Sequence, residues 1–541
     1  MSASKFLQRV TLGRAREIVV AHAPHLQTED VDAEDSLGRI SALPVRALLS
    51  SPHYRASAMD GIAVRACDTS DASSDSPLKL EEIAAEDSPE ASAKCFATVD
   101  TGTPLPDWSD AVVRVENTRA LPGGVSISSP VQPDCDVRAI GEDIQSGSVL
   151  FARGHCIRPF DIGTMLATGV ATASVVKRPR IALLATGGEV VEPGSDLQPG
   201  AVIEYNSRVI AAMASEWGAR ADYLGRVADD DQALASAIAA ASASHDVVCV
   251  IAGSSAGRKD LTVEALAKLG ELLFHGVDMM PGKPSAFAVI DDAAVLGVPG
   301  YPVSAALACE QLLRPLLAAM LGSVEPRRET IEAELRRKLP SRLGVEEFLR
   351  VCITSDGDAR VVALLPRGAG SISTLSRADG LLRIAANSEG IDAGSSVTIE
   401  LLRPSAEIAG TVIVGGAPHT ITATLEDLLR RGASPSLLPR LAHLGMATHD
   451  AILAMANGEV QIVLVDDRRP DDSVDKLITS RASAALAFAV SLAEQGRYRL
   501  LVAPGFALTP LGSALTAACT DGRVAAALSA ADHKSASIEP I

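Results

Sequence analysis

Arg180-Ile-Ala-Leu-Leu-Ala-Thr186, Asp246-Val-Val-Cys-Val-Ile-Ala-Gly253 and Ala293-Ala-Val-Leu-Gly-Val-Pro-Gly300 are three short apolar runs, the first followed by Gly187-Gly188 and the others ending in glycine. Stretches with apolar residues at helical spacing lie between them, Arg208 to Trp217, Asp231 to Ala243 and Leu261 to Leu269, and Val303 to Leu321 follows the last run. Apolar strands alternating with helices of this length predict a mostly parallel, doubly wound α/β sheet over residues 180–326. Ligands of such sheets bind at the carboxyl ends of the strands. All three glycine-bearing loops fall at such ends.

On the amino-terminal side, Leu12 to His22 reads as an amphipathic helix, with Ala15, Ile18, Val19 and His22 at helical spacing. From residue 31 to 147 the apolar runs are short and broken by Gly, Pro, Asp and Ser, which predicts a β-rich segment with many loops. Residues 148–179 hold a second helical stretch near Pro159 to Gly169. Packing of this helix on the first would make residues 1–30 and 148–179 one subdomain and the β-rich part an insertion. Beyond the α/β stretch, residues 327–404 return to short strands and turns, as in Val397-Thr-Ile-Glu-Leu-Leu402. Residues 405–541 read as a small α/β domain, with strands at Gly410 to Val414 and Val460 to Val465, a helix at Ile421 to Arg431, a polar loop at Asp466 to Asp475, and a closing strand and helix at Tyr498 to Ala503 and Leu511 to Cys519.

At 541 residues the chain has room for several domains of roughly 150 residues each. Apolar residues make up 47%, enough for several cores, while aromatics are only 3%, which argues against stacking platforms for single-stranded nucleic acid. The net charge of -18 is spread without long acidic blocks, so a polyanionic partner gains nothing by binding. A small anionic substrate needs a local site that works against this field. The eight cysteines are far apart with no C-x-x-C pair, a spread that suits reduced, buried thiols. The first residues carry no cleavage signal, and no window offers eighteen uninterrupted apolar residues. The expectation is a cytoplasmic protein without a membrane span.

Each loop, taken alone, has two readings. Thr186-Gly-Gly-Glu189 ends a strand, where freed amides hold an anion and Glu189 holds a cation, or where a tight turn simply exposes a Glu. Gly253-Ser-Ser-Ala-Gly257, followed by Arg258-Lys-Asp260, suits a phosphate cradle, but Asp260 is equally an N-cap. Met280-Pro-Gly-Lys-Pro284 places Lys283 as a fixed charge in a stiff turn, or as a solvated surface lysine. Pro299-Gly-Tyr-Pro302 precedes a helix, with Pro302 suited to its first turn. Tyr301 is placed to stack on a flat ring or to pack locally. Ser57-Ala-Met-Asp-Gly61, Thr101-Gly-Thr-Pro104 and Gly141-Glu-Asp143 have ordinary turn explanations.

In order, however, these motifs resemble those of the molybdopterin molybdenumtransferase family, which includes MoeA and the E domain of gephyrin. The resemblance covers about residues 5–404. It implies an elongated homodimeric body of four subdomains, a β-barrel-like subdomain at 327–404 among them, that inserts molybdate or tungstate into adenylylated molybdopterin with magnesium and releases AMP. It carries roles to Asp60, Thr101 and Asp143 in the β-rich subdomain. In the α/β domain it carries them to Glu189 and Asp260 as metal-holding acids, and to Lys283 as a phosphate contact. Gly187, Gly253, Ser254, Ser255, Gly257, Pro299, Tyr301, Pro302 and Ser304 become substrate-facing positions. Asp60, Asp143, Glu189, Asp260 and Lys283 form the implied catalytic set. Gly188, Arg258, Met280 and Tyr301 depart from the common family pattern.

The last 137 residues resemble, more weakly, one lobe of a periplasmic-binding-protein-like domain, truncated before a second lobe. Every implied site residue precedes residue 405, so this segment is expected to be dispensable for metal insertion. Two other readings stand beside the enzyme: a molybdopterin-binding or regulatory protein without efficient turnover, and an interaction scaffold for other cofactor-assembly proteins.

Overall fold

The computed structural model describes residues 9–515 apart from 88, 91–92, 253–260, 357–358, 417–421, 423–424, 428, 431–438, 467–487, 493–497, 510–511 and 514. The chain forms two units: residues 25–178 with 321–323, and the remainder.

In the larger unit the strands run, in spatial order, Arg220–Val227, Arg180–Thr186, Val247–Ala252, Ala293–Pro299, Ala286–Ile290 and Glu271–His275. The first four are parallel, and the last two join by antiparallel pairing. The central runs 181–185, 247–252 and 293–299 are apolar because helices cover the sheet, while the edge strand Arg220–Val227 carries Arg, Asp and Tyr and stays partly exposed. Leu234 and Ile238 of helix Asp231–Ser242 and Leu266 of helix Leu261–Leu269 pack on Ala182, Leu184, Val248, Val250 and Val295. Each fully buried side chain of this size contributes about 1.5–3 kcal/mol. Asp230 starts the helix at 231 by accepting from the amides of Gln232 and Ala233. The last helix spans residues 302–321 and has an i→i+5 turn at Cys309–Leu313. Among the described residues it alone has the length and hydropathy of a membrane span, and it is mostly buried in the protein interior.

The helix Leu12–Ala21 belongs to this larger unit. Arg16 donates to the carbonyl and side chain of Gln311 and pairs with Glu325, and Val10 bridges to Val277. The helix Pro159–Ala167 instead packs in the smaller unit, where Met165 shares a core with Ala33, Val45, Phe151 and Val175. The two helices expected to pack together therefore lie in different units. The first helix buries Leu12, Ala15 and Val19 and adds the Arg16 contacts to Gln311 and Glu325, partners distant in the chain that periodicity does not reveal.

The smaller unit also carries a six-stranded sheet ordered Ala111–Arg114, Gly61–Val64, Cys95–Val99, Leu78–Glu82, Gly124–Ile127, Thr118–Leu121. Its core is Ile62, Val64, Leu80, Phe96, Val113 and Ile127. The expected burial of the thiols fails here at Cys67 and Cys156, both exposed, while Cys95, Cys249, Cys309 and Cys352 are buried. Cys67 lies in the short 3-10 helix Ala66–Thr69 and Cys156 at an isolated bridge to Ile40, neither of them on a covered strand.

Strands Glu346–Asp356, Ala359–Leu364, Thr330–Leu335, Ser395–Leu401 and Gly380–Ile384 follow in order, and the last pairs back on the first, so the sheet closes on itself. Closure removes free edges. The C-terminal sheet is ordered Arg440–His443, Thr411–Gly416, Ile462–Asp466, Tyr498–Val502, Phe488–Leu492. Ile413, Ala442, Val463 and Leu501 of this sheet form one core with helix Thr448–Ala456 and with Cys352, Ala363, Leu365 and Ala378 of the closed sheet. The expected separable domain thus shares its core with its neighbour. Parts of its expected helices at 421–431 and 511–519 lie outside the described residues.

Candidate active site

Strand register collects the loops of the α/β sheet. Thr186 lies opposite Val227, Ala185 opposite Ile251, Ala252 opposite Pro299, and Gly297 opposite Ala286. Neighbouring strands are about 4.8 Å apart. Consequently the turns at 187–189, 228–230, 280–285 and 299–302 all open at one edge of the sheet.

At the first of these, Gly187 is buried with φ at +126°. A Cβ there would stand 2.9 Å from Val190 Cγ2 and 3.2 Å from each carboxylate oxygen of Glu189, so the turn needs glycine and the carboxylate folds over it. The Gly188 amide donates to Asp229 Oδ2 at 2.9 Å, and Arg226 donates to the carbonyls of Gly187 and Gly188 at 3.2 Å each. Glu189 and Asp229 therefore flank one turn. Reading the sequence missed Asp229, because Asp229-Asp230-Asp231 reads as a helix start, which Asp230 alone supplies.

Lys283 stands exposed in the 280–285 turn. Its carbonyl accepts from Val277, and Met279–Met280 pair with Glu346–Glu347 of the closed sheet. Gly282 adopts φ +118°, and a Cβ there would come within 2.8 Å of the Met279 side chain. Backbone anchors on both sides thus fix where the Lys283 ammonium starts.

In the Pro299–Pro302 turn, Pro299, Pro302 and Ser304 are buried and Tyr301 is exposed. Asn206 donates to the Gly300 carbonyl at 2.8 Å. The Val303 amide donates to the Ala369 carbonyl at 3.0 Å, and a Cβ added at Gly370 would meet the Tyr301 ring at 3.6 Å. That 366–371 loop is held by Arg350, a residue the sequence did not single out. Arg350 is 1% exposed and donates to the carbonyls of Pro366 and Gly368 and to Thr374 Oγ1. Burial pulls its guanidinium down to about 10.

In the smaller unit, Asp60 Oδ1 accepts from the Thr101 amide at 2.7 Å and from its hydroxyl at 2.9 Å. The amide first, then the hydroxyl, hold the Asp60 carboxyl below the usual carboxylate range. Gly61 is required beside it, since a Cβ would run into the Val113 carbonyl. A cavity of ≈ 830 Å³ opens here, lined by Asp60, Glu82, Phe96, Thr98, Asp100 and Leu121 among others. Asp143 is exposed on another turn, held by backbone bonding to Ser51, and no hydrogen bond joins it to Asp60. Gly253, Ser254, Ser255, Gly257, Arg258 and Asp260 lie outside the described residues. Among the described ones no group of three or more metal-ligating side chains gathers.

Models of known families match in sequence order. The MoeA N-terminal region (domain I and II) matches residues 10–169, a probable molybdopterin binding domain matches 182–319, and the MoeA C-terminal region (domain IV) matches 332–402. A molybdopterin molybdenumtransferase from Bacillus subtilis is 30% identical over 389 residues, which is 70% of this chain and 90% of that protein. The chain belongs to the molybdopterin molybdenumtransferase family. The family's Haemophilus influenzae member is 28% identical over 72% of this chain and 98% of its own length. A crystal structure of the MoeA protein from Pyrococcus horikoshii superposes with a TM-score of 0.64 at 32% identity, over 73% of this chain and all of that one. The fold of this family member, several α/β and β-rich parts with one doubly wound sheet, is that of the MoeA proteins. The matched segments end at residue 402.

Proposed function

We propose that this chain is an enzyme of molybdenum-cofactor biosynthesis, a molybdopterin molybdenumtransferase, that acts on adenylylated molybdopterin and releases AMP as the metal oxyanion is placed on the dithiolene. Support comes from family membership and above all from one observation: the register that opens Glu189, Asp229, Lys283 and Tyr301 at one sheet edge. Lys283 offers a fixed positive charge to phosphate. Tyr301, exposed above the loop that Arg350 holds, offers a flat face to the pterin. Asp60, kept ionised by Thr101, is an acid position of the smaller unit, and Asp143 is a second.

Glu189 and Asp229 suit a hard cation such as magnesium, since both are carboxylates on one glycine turn, and Asp260 is the expected further ligand. Bound magnesium would supply charge to offset that developing as the phosphoanhydride bond breaks. Holding Glu189 over Gly187 and Asp229 on the Gly188 amide is the work of the chain itself. Residence in the cytoplasm and a homodimer complete the reading. The Leu48 and Leu49 amides donate to the Thr168 carbonyl, which sets these exposed leucines beside helix Pro159–Ala167, where Phe160 and Leu166 are also exposed. An apolar face of this kind suits a second copy of the chain.

Incubation of the purified protein with adenylylated molybdopterin, magnesium and molybdate or tungstate should release AMP only when an oxyanion is present. Tight pterin binding without AMP release under every combination would replace the transferase reading with that of a molybdopterin-binding protein.

A further inference from the structure

The C-terminal segment reaches the Tyr301 loop through a continuous set of polar contacts. Arg440, on the first strand of the C-terminal sheet, pairs with Asp379 and donates to the Arg377 carbonyl. Asp379 is fully buried, accepts from the Ile353 amide at 2.9 Å and donates its own amide to Val351. Arg377 in turn donates to the His443 carbonyl at 2.8 Å and to the Ser373 carbonyl at 3.1 Å. These contacts fix both ends of the short helix Ser373–Arg377. Its Thr374 accepts from Arg350, which grips the carbonyls of Pro366 and Gly368. Ala369 and Gly370, next in the chain, meet Val303 and Tyr301.

We propose that Arg440 is a positioning residue for the substrate site: through Asp379 and the Arg377 carbonyl it sets the Ser373–Arg377 helix, and hence the 366–371 loop, against Tyr301. This rests on the reading that Tyr301 faces the substrate. Two features make the link more than packing. Asp379 is buried, and desolvation raises its carboxyl above the usual range while Arg440 and the Ile353 amide work against that, so its carboxylate is favoured by the same contacts that hold the helix. A planar guanidinium also serves two acceptors at once, Asp379 and the Arg377 carbonyl, which a lysine ammonium does not reproduce with the same geometry.

The test uses the full chain and three variants. Asp379→Asn/Arg440→Met removes both charges together and leaves no orphaned ion in the core. Arg440→Lys keeps the charge but loses the two-acceptor geometry. Arg377→Gln cuts the bond to His443 and spares the ion pair. Hydrogen exchange in the substrate-free protein should show the Val303 and Thr374 amides exchanging about tenfold faster in the double variant and in Arg377→Gln. In steady state, KM for the pterin substrate should rise about five- to tenfold with kcat within about twofold, and Arg440→Lys should fall between these and the wild type. Folded variants with wild-type exchange and wild-type KM overturn the proposal; if the double variant does not fold, Arg440→Lys decides, because Arg377→Gln keeps every contact of Arg440 and reports only on the bond from the helix to His443. Should the wild type show no turnover, the transferase reading fails, while the exchange measurement still decides the coupling.

Discussion

In the α/β sheet four parallel strands continue into two antiparallel ones, and in the C-terminal sheet three parallel strands continue into two antiparallel ones. The layouts are alike, but their covers come from different places. Helices 231–242 and 261–269, which connect its own strands, bury Leu234, Ile238 and Leu266 on the α/β sheet. The C-terminal sheet has its helix Thr448–Ala456, but its core also takes in Cys352, Ala363, Leu365 and Ala378 of the closed sheet. Ile408, from the connection, enters the closed sheet's own core in return. Independence of a segment is thus decided by who covers its apolar face, and strand order does not report it.

The largest expected effect follows directly. A chain ending at Pro404 uncovers Cys352, Ala363, Leu365 and Ala378, removes Ile408, and leaves Asp379 buried without Arg440. Breaking one buried ion pair costs about 3–5 kcal/mol before any apolar area is counted. This predicted outcome is the opposite of the sequence-based expectation that the last 137 residues are dispensable for metal insertion. Thermal unfolding with light scattering should show a lower midpoint and aggregation. A soluble truncated chain with wild-type stability would mean that the shared core carries little energy.

Lys283→Ala probes the self-contained sheet. Its side chain is exposed and its turn is anchored by backbone, so folding should be untouched. Losing one charge-assisted hydrogen bond of about 1.5–3 kcal/mol should weaken pterin binding roughly ten- to a hundredfold. Equal affinity in the folded variant, measured by titration, would return Lys283 to a solvated surface lysine.

The sequence carried the α/β sheet well, because strands 180–186, 247–252 and 293–299 are uninterrupted apolar runs and Leu261–Leu269 has clear helical spacing. Closure of residues 330–401 was expected from the family resemblance as a β-barrel-like subdomain but was not legible in the residue pattern, since it depends on one strand, Glu346–Asp356, pairing with both Ala359–Leu364 and Gly380–Ile384. The shared core was hidden for a similar reason: Cys352 and Ala363 are small residues on strands, and Ala378 caps the short helix Ser373–Arg377. At the candidate site, Lys283 and Glu189 were found from local motifs. Asp229 and Arg350 act through partners distant in the chain, Gly188 and the 366–368 carbonyls, and local pattern does not show such partners.

A smaller effect belongs to the other unit. Asp161 sits in the first turn of helix Pro159–Ala167, bonded to the side chain and amide of Arg158 and to His155. Arg158 above all, with help from His155, holds its carboxyl far below the usual range against the opposing effect of burial. A depressed folded value stabilises the fold above the ordinary carboxylate value of about 3.9, and that stability is lost as pH falls through the folded value. Asp161→Asn should therefore cost about 1–2 kcal/mol at neutral pH. The gap to the wild type should narrow steadily in acid. A gap that stays constant down to strongly acidic pH would assign the loss to packing instead.

The smallest effect is at Asp60. Thr101→Val removes the hydroxyl but keeps the amide, which is the stronger of the two influences lowering this carboxyl. The Asp60 value should rise, yet stay below the ordinary range, because the remaining backbone bond still favours the ionised form. At neutral pH the carboxylate stays charged, so AMP release should change by no more than about twofold. The acid limb of the pH–rate profile should move toward higher pH, because a carboxylate with a raised value protonates sooner as pH falls. Thr101→Ser, which restores the hydroxyl, should return the limb to its wild-type place. If Val and Ser give the same profile as the wild type, either Asp60 does not control the acid limb or the amide alone sets its ionisation. Thr101 would then be a turn residue beside the cavity and nothing more.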